Sequence, residues 1–297
     1  MTSLPTVTSV AVPQTTPQTR FVPNPPDEGS SVCERFTIVR DVGAVAASNV
    51  TEASGLVASR THAGVFWTHN DSGGDAAVYA MDDAGSALGV WTLDGTFALD
   101  WEDIALGPGP EPGIDYLYVG DIGDNLAFRP DVTVYRFPEP DPTQSGVVAD
   151  AVSLRLGYPI PPVDAEAMFV DPIDGNLVIV TKSSTGESVV LQASATSLGS
   201  DPIIPLLEIA RLQLGAGSFV TAADMSPDGT TIALRGYDEV WMWARNDRAI
   251  AEAFVAAPCS APTTEEIQGE ALAFTADGTA YVTISEGSNP TVWRVEP

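Results

Sequence analysis

Lysine occurs once in these 297 residues, at Lys182, and histidine only twice, at His62 and His69. The 13 basic residues face 40 acidic ones, a formal net charge of −27. Such a surface repels phosphate backbones and anionic lipid heads, which argues against nucleic acid and a peripheral membrane as partners. One well-placed histidine and two separated cysteines, Cys33 and Cys259, leave no thiolate or imidazole cluster for zinc. No apolar run approaches the length of about 20 residues needed to span a bilayer, so no transmembrane segment is expected. The start also lacks a charged region followed by an apolar stretch, and an export signal is expected to be absent from this chain.

What the chain does have is repetition. Residues 1–32, rich in Thr, Pro, Ser and Val, read as a flexible tail or linker. Residues 33–297 read as a single all-β domain. Within it five segments begin Glu52-Ala53-Ser54-Gly55-Leu56, Asp100-Trp101-Glu102-Asp103-Ile104, Asp164-Ala165-Glu166-Ala167-Met168, Thr221-Ala222-Ala223-Asp224-Met225 and Gln268-Gly269-Glu270-Ala271-Leu272. Taken as an ungapped alignment, their starts fall roughly 50 to 65 residues apart, a period that points to propeller blades. Each is followed by a second strand rich in β-branched and aromatic residues and then a third. Three of the intervening turns carry Asp174-Gly175, Asp228-Gly229 and Asp277-Gly278, pairs suited to tight hairpins.

After the fifth third-strand the chain ends, so the last blade lacks its outer strand. The unassigned strand-like segment Phe36-Thr37-Ile38-Val39-Arg40 is expected to supply it, protecting an edge and joining the chain's two ends. The reading is a five-bladed β-propeller closed by an N-terminal strand, with six blades as the fallback should residues 138–162 hide another. Cys33 precedes the closing strand and Cys259 follows the outer part of blade four, which adjoins blade five. A disulfide between them would pin the closure and favour an oxidising compartment, two separate thiols being the alternative.

In a propeller the starts of first strands and the ends of second strands meet at one mouth. The starts bring Glu52, Asp100, Glu102, Asp164, Glu166, Gln268 and Glu270, with 100 and 102, 164 and 166, and 268 and 270 sharing a side by the period of two. Glu102, Glu166 and Glu270 hold one register in three blades, and their mutual repulsion calls for a cation. Calcium suits an oxygen-only donor set, with Asp121 and Asp124 as further ligands. The alternative is that each glutamate bonds backbone amides between blades. His69, Lys182, Arg235 and Glu286 are the candidate catalytic residues. For Lys182 and Arg235 the alternative is a structural ion pair, and for His69 a core hydrogen bond. Asn70, Asp71, Asn125 and Trp101 are candidate substrate contacts, Trp101 as a platform for a sugar or ring. Asp103 and Asp224 point to the opposite side of their strands and are expected to bridge blades.

The segments Thr68-His69-Asn70-Asp71-Ser72-Gly73, Asp100-Trp101-Glu102-Asp103-Ile104-Ala105, Tyr118 to Asn125, Ala165-Glu166-Ala167, Ala223-Asp224-Met225-Ser226-Pro227-Asp228-Gly229 and Gln268-Gly269-Glu270-Ala271 together resemble a family of secreted actinobacterial β-propeller proteins. The resemblance runs from about residue 50 to the end. It implies a secreted or cell-envelope location. The chain is also distantly similar to phytase-like and esterase-like propellers, which implies calcium and channel carboxylates in ester hydrolysis. The abundant cations of a phytase are missing, since Lys182 and Arg235 are the two at the mouth.

Three readings follow for a protein expected to act as a monomer on a small-molecule ligand. The first is a calcium-dependent hydrolase of a small ester, a phosphoester foremost. The second is a non-catalytic binding propeller. The third is a glycosidase using a channel carboxylate pair with Glu286 and Trp101.

Overall fold

A computed structural model describes residues 31–297. The tail expected over 1–32 therefore lies, up to residue 30, outside the described residues. A short 3-10 turn, Val32–Arg35, leads to β1 (Ile38–Ala44). Blade one follows as β2 (Ala53–Ala58), β3 (Val65–Asn70), β4 (Ala77–Asp82) and β5 (Ala87–Leu93). Blade two comprises β6 (Trp101–Pro108), β7 (Asp115–Asp121), β8 (Asp131–Pro138) and, past the short β9 (Gly146–Val148), β10 (Val152–Gly157). Blade three comprises β11 (Ala165–Val170), β12 (Leu177–Thr181), β13 (Glu187–Ala193) and, past β14 (Ile204–Pro205), β15 (Leu207–Gln213). Blade four is β16 (Val220–Met225), β17 (Thr231–Gly236), β18 (Val240–Ala244) and β19 (Cys259–Ala261). Blade five is β20 (Gly269–Phe274), β21 (Tyr281–Ser285) and β22 (Thr291–Glu296), completed by β1.

The described residues thus form a five-bladed β-propeller. β1 pairs antiparallel with β22 from Ile38↔Glu296 to Ala44↔Thr291. Cys33 and Cys259 form a disulfide, Cα atoms 6.0 Å apart, tying the closing segment to the outer strand of blade four. Residues 138–162 make no sixth blade. β9 adds in parallel to the edge of blade one and β10 is the outer strand of blade two.

Alternation within the inner strands explains the ring. Met168 and Val170 of β11 pack toward blade two, while Ala167 and Phe169 pack toward blade four. Both sets are buried, so the strand reads as continuously apolar although its side chains alternate between two cores. Five such cores, one between each pair of neighbouring blades, hold the described residues together. A fully buried Phe169 or Leu56 contributes about 1.5–3 kcal/mol each.

Inner strands also expose one backbone edge to the axis, and two carboxylates satisfy part of it. Asp103 of β6 accepts from Met168 N at 2.7 Å in blade three and Ala223 N at 3.1 Å in blade four. Asp224 of β16 accepts from Phe274 N in blade five at 2.8 Å. These are the bridges expected of the two residues.

Candidate functional site

Each first strand starts with a β-bulge. The pairing register skips Ser54 in β2, Glu102 in β6, Glu166 in β11, Thr221 in β16 and Glu270 in β20. A bulge leaves one residue unpaired and re-aims its side chain. The five bulge residues are therefore the true equivalents, which corrects the alignment of blade four by two places: Thr221, not Ala223, matches Glu270. Thr221 and Ser54 use their hydroxyls locally, donating to Gly269 O at 2.7 Å and Glu102 O at 2.8 Å in the next blade. The three carboxylates turn into the mouth.

A second ring lies one step out. The amides of Asp71, Lys182 and Glu286 donate to the carbonyls of Glu52, Asp164 and Gln268 at 2.8, 3.0 and 2.9 Å. These residues continue the second strands of blades one, three and five. Together the rings enclose a cavity of about 160 Å³ lined by Glu52, Ser54, Asp71, Glu102, Asn125, Glu166, Lys182, Gln268, Glu270 and Glu286. Seven of the expected site residues meet there: Asp71, Glu102, Asn125, Glu166, Lys182, Glu270 and Glu286.

Lys182 Nζ pairs with Glu166 and donates to Tyr237 Oη at 2.9 Å, with the Tyr237 ring centroid 5.1 Å away. Ligand oxygens of Asp71, Asp100 and Glu102 all lie within 4.8 Å of one another, an acidic group that could hold a metal ion. Two oxygens on one calcium, each about 2.3–2.6 Å from it, fit within such a span. Glu102 is only 4% exposed, and among the described residues no hydrogen-bond donor reaches its carboxylate or that of Asp100. Gly123 allows this crowding. A Cβ there would sit 2.2 Å from Glu102 Oε1 and 2.5 Å from Asp100 Oδ2.

Burial pushes the Glu102 carboxyl well above its usual range, and Glu166, Asp71 and Asp100 add repulsion. Asp100 rises to about 6, through burial and then Asp71 and Asp164. Glu166 rises to about 8 through burial, against the opposing pull of Lys182. Burial raises Glu270 to about 7, although Gln268 donates to it at 2.7 Å. Lys182 is pulled down by its own burial but held up overall by the Glu166 carboxylate.

The other expected site residues lie outside the cavity lining. His69 is fully buried, its Nδ1 2.8 Å from Asn70 O and its ring 5.8 Å from Trp101. Burial lowers it to about 4, so it stays neutral in the blade-one core. Arg235 is also fully buried, paired with Glu266 against Gly269, where any Cβ would lie 1.9 Å from the guanidinium. Register explains both. His69 pairs with Gly55 and Arg235 with Ala222, the places held by Val180 and Ile284 in blades three and five.

Trp101 is fully buried and offers no face to a sugar, which removes the platform of the glycosidase reading. Asn70 caps the preceding loop, accepting from Thr51 N and Glu52 N at 3.0 and 3.1 Å. Asp121 pairs with Arg129 at 2.8 Å, and Asp124 accepts from Arg129 N at 2.7 Å. These two aspartates fold the 122–130 loop. Glu52, Asp100 and Gln268 stood among the converging starts without a role, and Ser54 and Tyr237 were not singled out. The bulge register is the signal that finds Ser54, and the second-strand register the one that finds Tyr237.

No family model matches the chain, and no curated protein matches it.

Proposed function

We propose that this propeller is a secreted or envelope protein that binds calcium at Asp71, Asp100 and Glu102 and holds a small oxyanion between the ion and Lys182. The buried, donor-free Glu102 carboxylate carries this reading, because an uncompensated buried carboxylate beside two others is costly unless a cation joins it. Only oxygen donors are present in the group, as a hard cation requires. Lys182 has three N–H donors and uses two, on Glu166 and Tyr237, leaving one for an anion. The Cys33–Cys259 disulfide is compatible with an oxidising compartment, and among the described residues no helix is long and apolar enough to cross a membrane.

Hydrolysis of a bound ester is the second reading, favoured by Glu270, whose carboxyl near 7 suits a general base at neutral pH. Gln268 occupies one of its oxygens and leaves the other to take a proton from water. Calcium held at Asp71, Asp100 and Glu102 would supply Lewis-acid polarisation of an ester oxygen.

Titration calorimetry of chelator-treated protein with calcium, magnesium and a lanthanide tests the first reading. Calcium binding that is lost in Glu102→Gln and Asp100→Asn supports it. Absence of binding, or binding untouched by both changes, overturns it. For hydrolysis, turnover undiminished in excess EDTA would remove the ion from the reaction, and full turnover by Glu270→Gln would remove that base.

A further inference from the structure

Large apolar residues crowd the mouth. Among the described residues, those at least 60% exposed are Phe97, Leu99, Leu126, Phe128, Ile173, Leu207 and Ile267. Five of these seven lie on loops that open at the acidic well, and only Ile173 and Leu207 lie elsewhere. Four share two neighbouring loops of blade two: Phe97 is 84% exposed, Leu99 60%, Leu126 80% and Phe128 66%. Leu99 N donates to Asp121 at 3.3 Å, and Arg129 pairs with Asp121 while donating to Gly123 O at 2.7 Å, so the two loops are tied together. Leu99 immediately precedes Asp100, and Leu126 immediately follows Asn125 of the cavity wall. Such a concentration of exposed apolar side chains beside a charged well marks a binding surface.

The well limits what can enter it. At about 160 Å³, walled by carboxylates and one ammonium, it has room for an ion and a head group but no apolar wall for a longer substituent. We propose that the mouth binds an amphiphilic anion, a phosphate or carboxylate head held between calcium and Lys182 with its alkyl or aryl group laid over Phe97, Leu99, Leu126 and Phe128. This rests on the calcium reading above. It commits to one dissolved molecule rather than a membrane, because a chain of net charge −27 is repelled from an anionic bilayer while a single head group can be drawn into the well. Apolar contact contributes about 0.8 kcal/mol per buried methylene, so a few methylenes on the ridge suffice for a tenfold gain.

The test compares methyl phosphate with hexyl phosphate by calorimetry on calcium-loaded protein, after a separate calcium titration without either ester. Hexyl phosphate is expected to bind at least about tenfold tighter. The Leu126→Ser/Phe128→Ser double variant should lose that advantage and keep its calcium affinity and its affinity for methyl phosphate. Both side chains are exposed, so the fold survives the change. Equal affinity of the two esters, or an advantage intact in the double variant, overturns the inference. An advantage that persists in EDTA overturns the head-group bridge. Calcium-dependent capture on phosphatidic acid vesicles with no gain for dissolved hexyl phosphate overturns the single-molecule occupant in favour of a bilayer. A silent calcium titration overturns the underlying reading instead, so the two failures are distinct.

Discussion

Lys182 is the one lysine of the chain, and it stands in a well lined by Glu52, Asp71, Glu102, Glu166, Glu270 and Glu286. It therefore competes with any bound cation while attracting any bound anion. Lys182→Met is expected to raise calcium affinity by about tenfold, since a repulsive charge is gone, and to abolish oxyanion binding. Paired titrations check this, and a variant whose calcium affinity falls would show that Lys182 supports the ion site rather than opposing it. At this scale the sequence was partly legible. Polar residues at strand ends located Lys182, Asp71 and Glu286 correctly because strand ends do converge on one face. They misplaced His69 and Arg235 because polarity says nothing about which way a residue faces. Those two occupy the register of Val180 and Ile284, and each finds a partner inside the core, Asn70 O for His69 and Glu266 for Arg235. Asp121 and Asp124 resembled ligands, yet Arg129, five to eight residues on, engages both.

At the scale of the strand, the bulge at the head of each inner strand makes the site. Without it, strict alternation would put Glu102 and Asp100 on one side and leave Asp103 on the other with no shared edge to bridge. The repeat, the second and third strands and the Asp-Gly turns were all readable from β-branched patterning and turn chemistry. The bulges were not, because an unpaired residue leaves no mark on hydropathy, and blade four slipped by two places for that reason. Beyond the bulge, Asp103 tests how the inner edges are held. Its Oδ2 takes the amides of Met168 and Ala223, and its Oδ1 takes that of Ile104 at 2.8 Å. Asp103→Leu strands three buried amides and is expected to lower unfolding free energy by about 3 kcal/mol or more. Asp103→Asn should cost less, because the amide oxygen can replace Oδ2 and keep the bonds to blades three and four. Urea denaturation measures the difference, and equal losses in the two variants would mean that the inter-blade bonds contribute little.

The whole ring is closed twice, by β1 on β22 and by the disulfide, and the first closure is legible in the sequence because blade five has only three strands of its own after residue 268. Opening the disulfide with Cys33→Ser/Cys259→Ser releases a loop of 226 residues in the unfolded chain. A chain-entropy estimate puts the loss at about 5 kcal/mol, visible as a lower urea midpoint, and an unchanged midpoint would show that β1 alone closes the ring. The acidic mouth acts on the whole fold through protons. Glu166 at about 8 and Glu270 at about 7 sit above the ordinary glutamate value of 4.5, chiefly through burial, and Asp100, further out, adds less. Between roughly pH 4.5 and 8 the folded state then keeps protons that the unfolded chain has released. Stability therefore falls as pH rises through that window, by about 1.4 kcal/mol per pH unit for each proton fully retained. Calcium would replace the protons that Asp100 and Glu102 retain as the compensating charge, since burial and repulsion raise both carboxyls, and it would bind the folded state alone. Thermal melts at pH 5, 6, 7 and 8 in EDTA should show Tm declining upward through the series. The same melts in calcium should show a smaller decline, so that the gap between the two curves is narrow at pH 5 and wide at pH 8. Curves that stay parallel would mean that the protons and the ion do not share carboxylates, and would detach the cation site from Asp100 and Glu102.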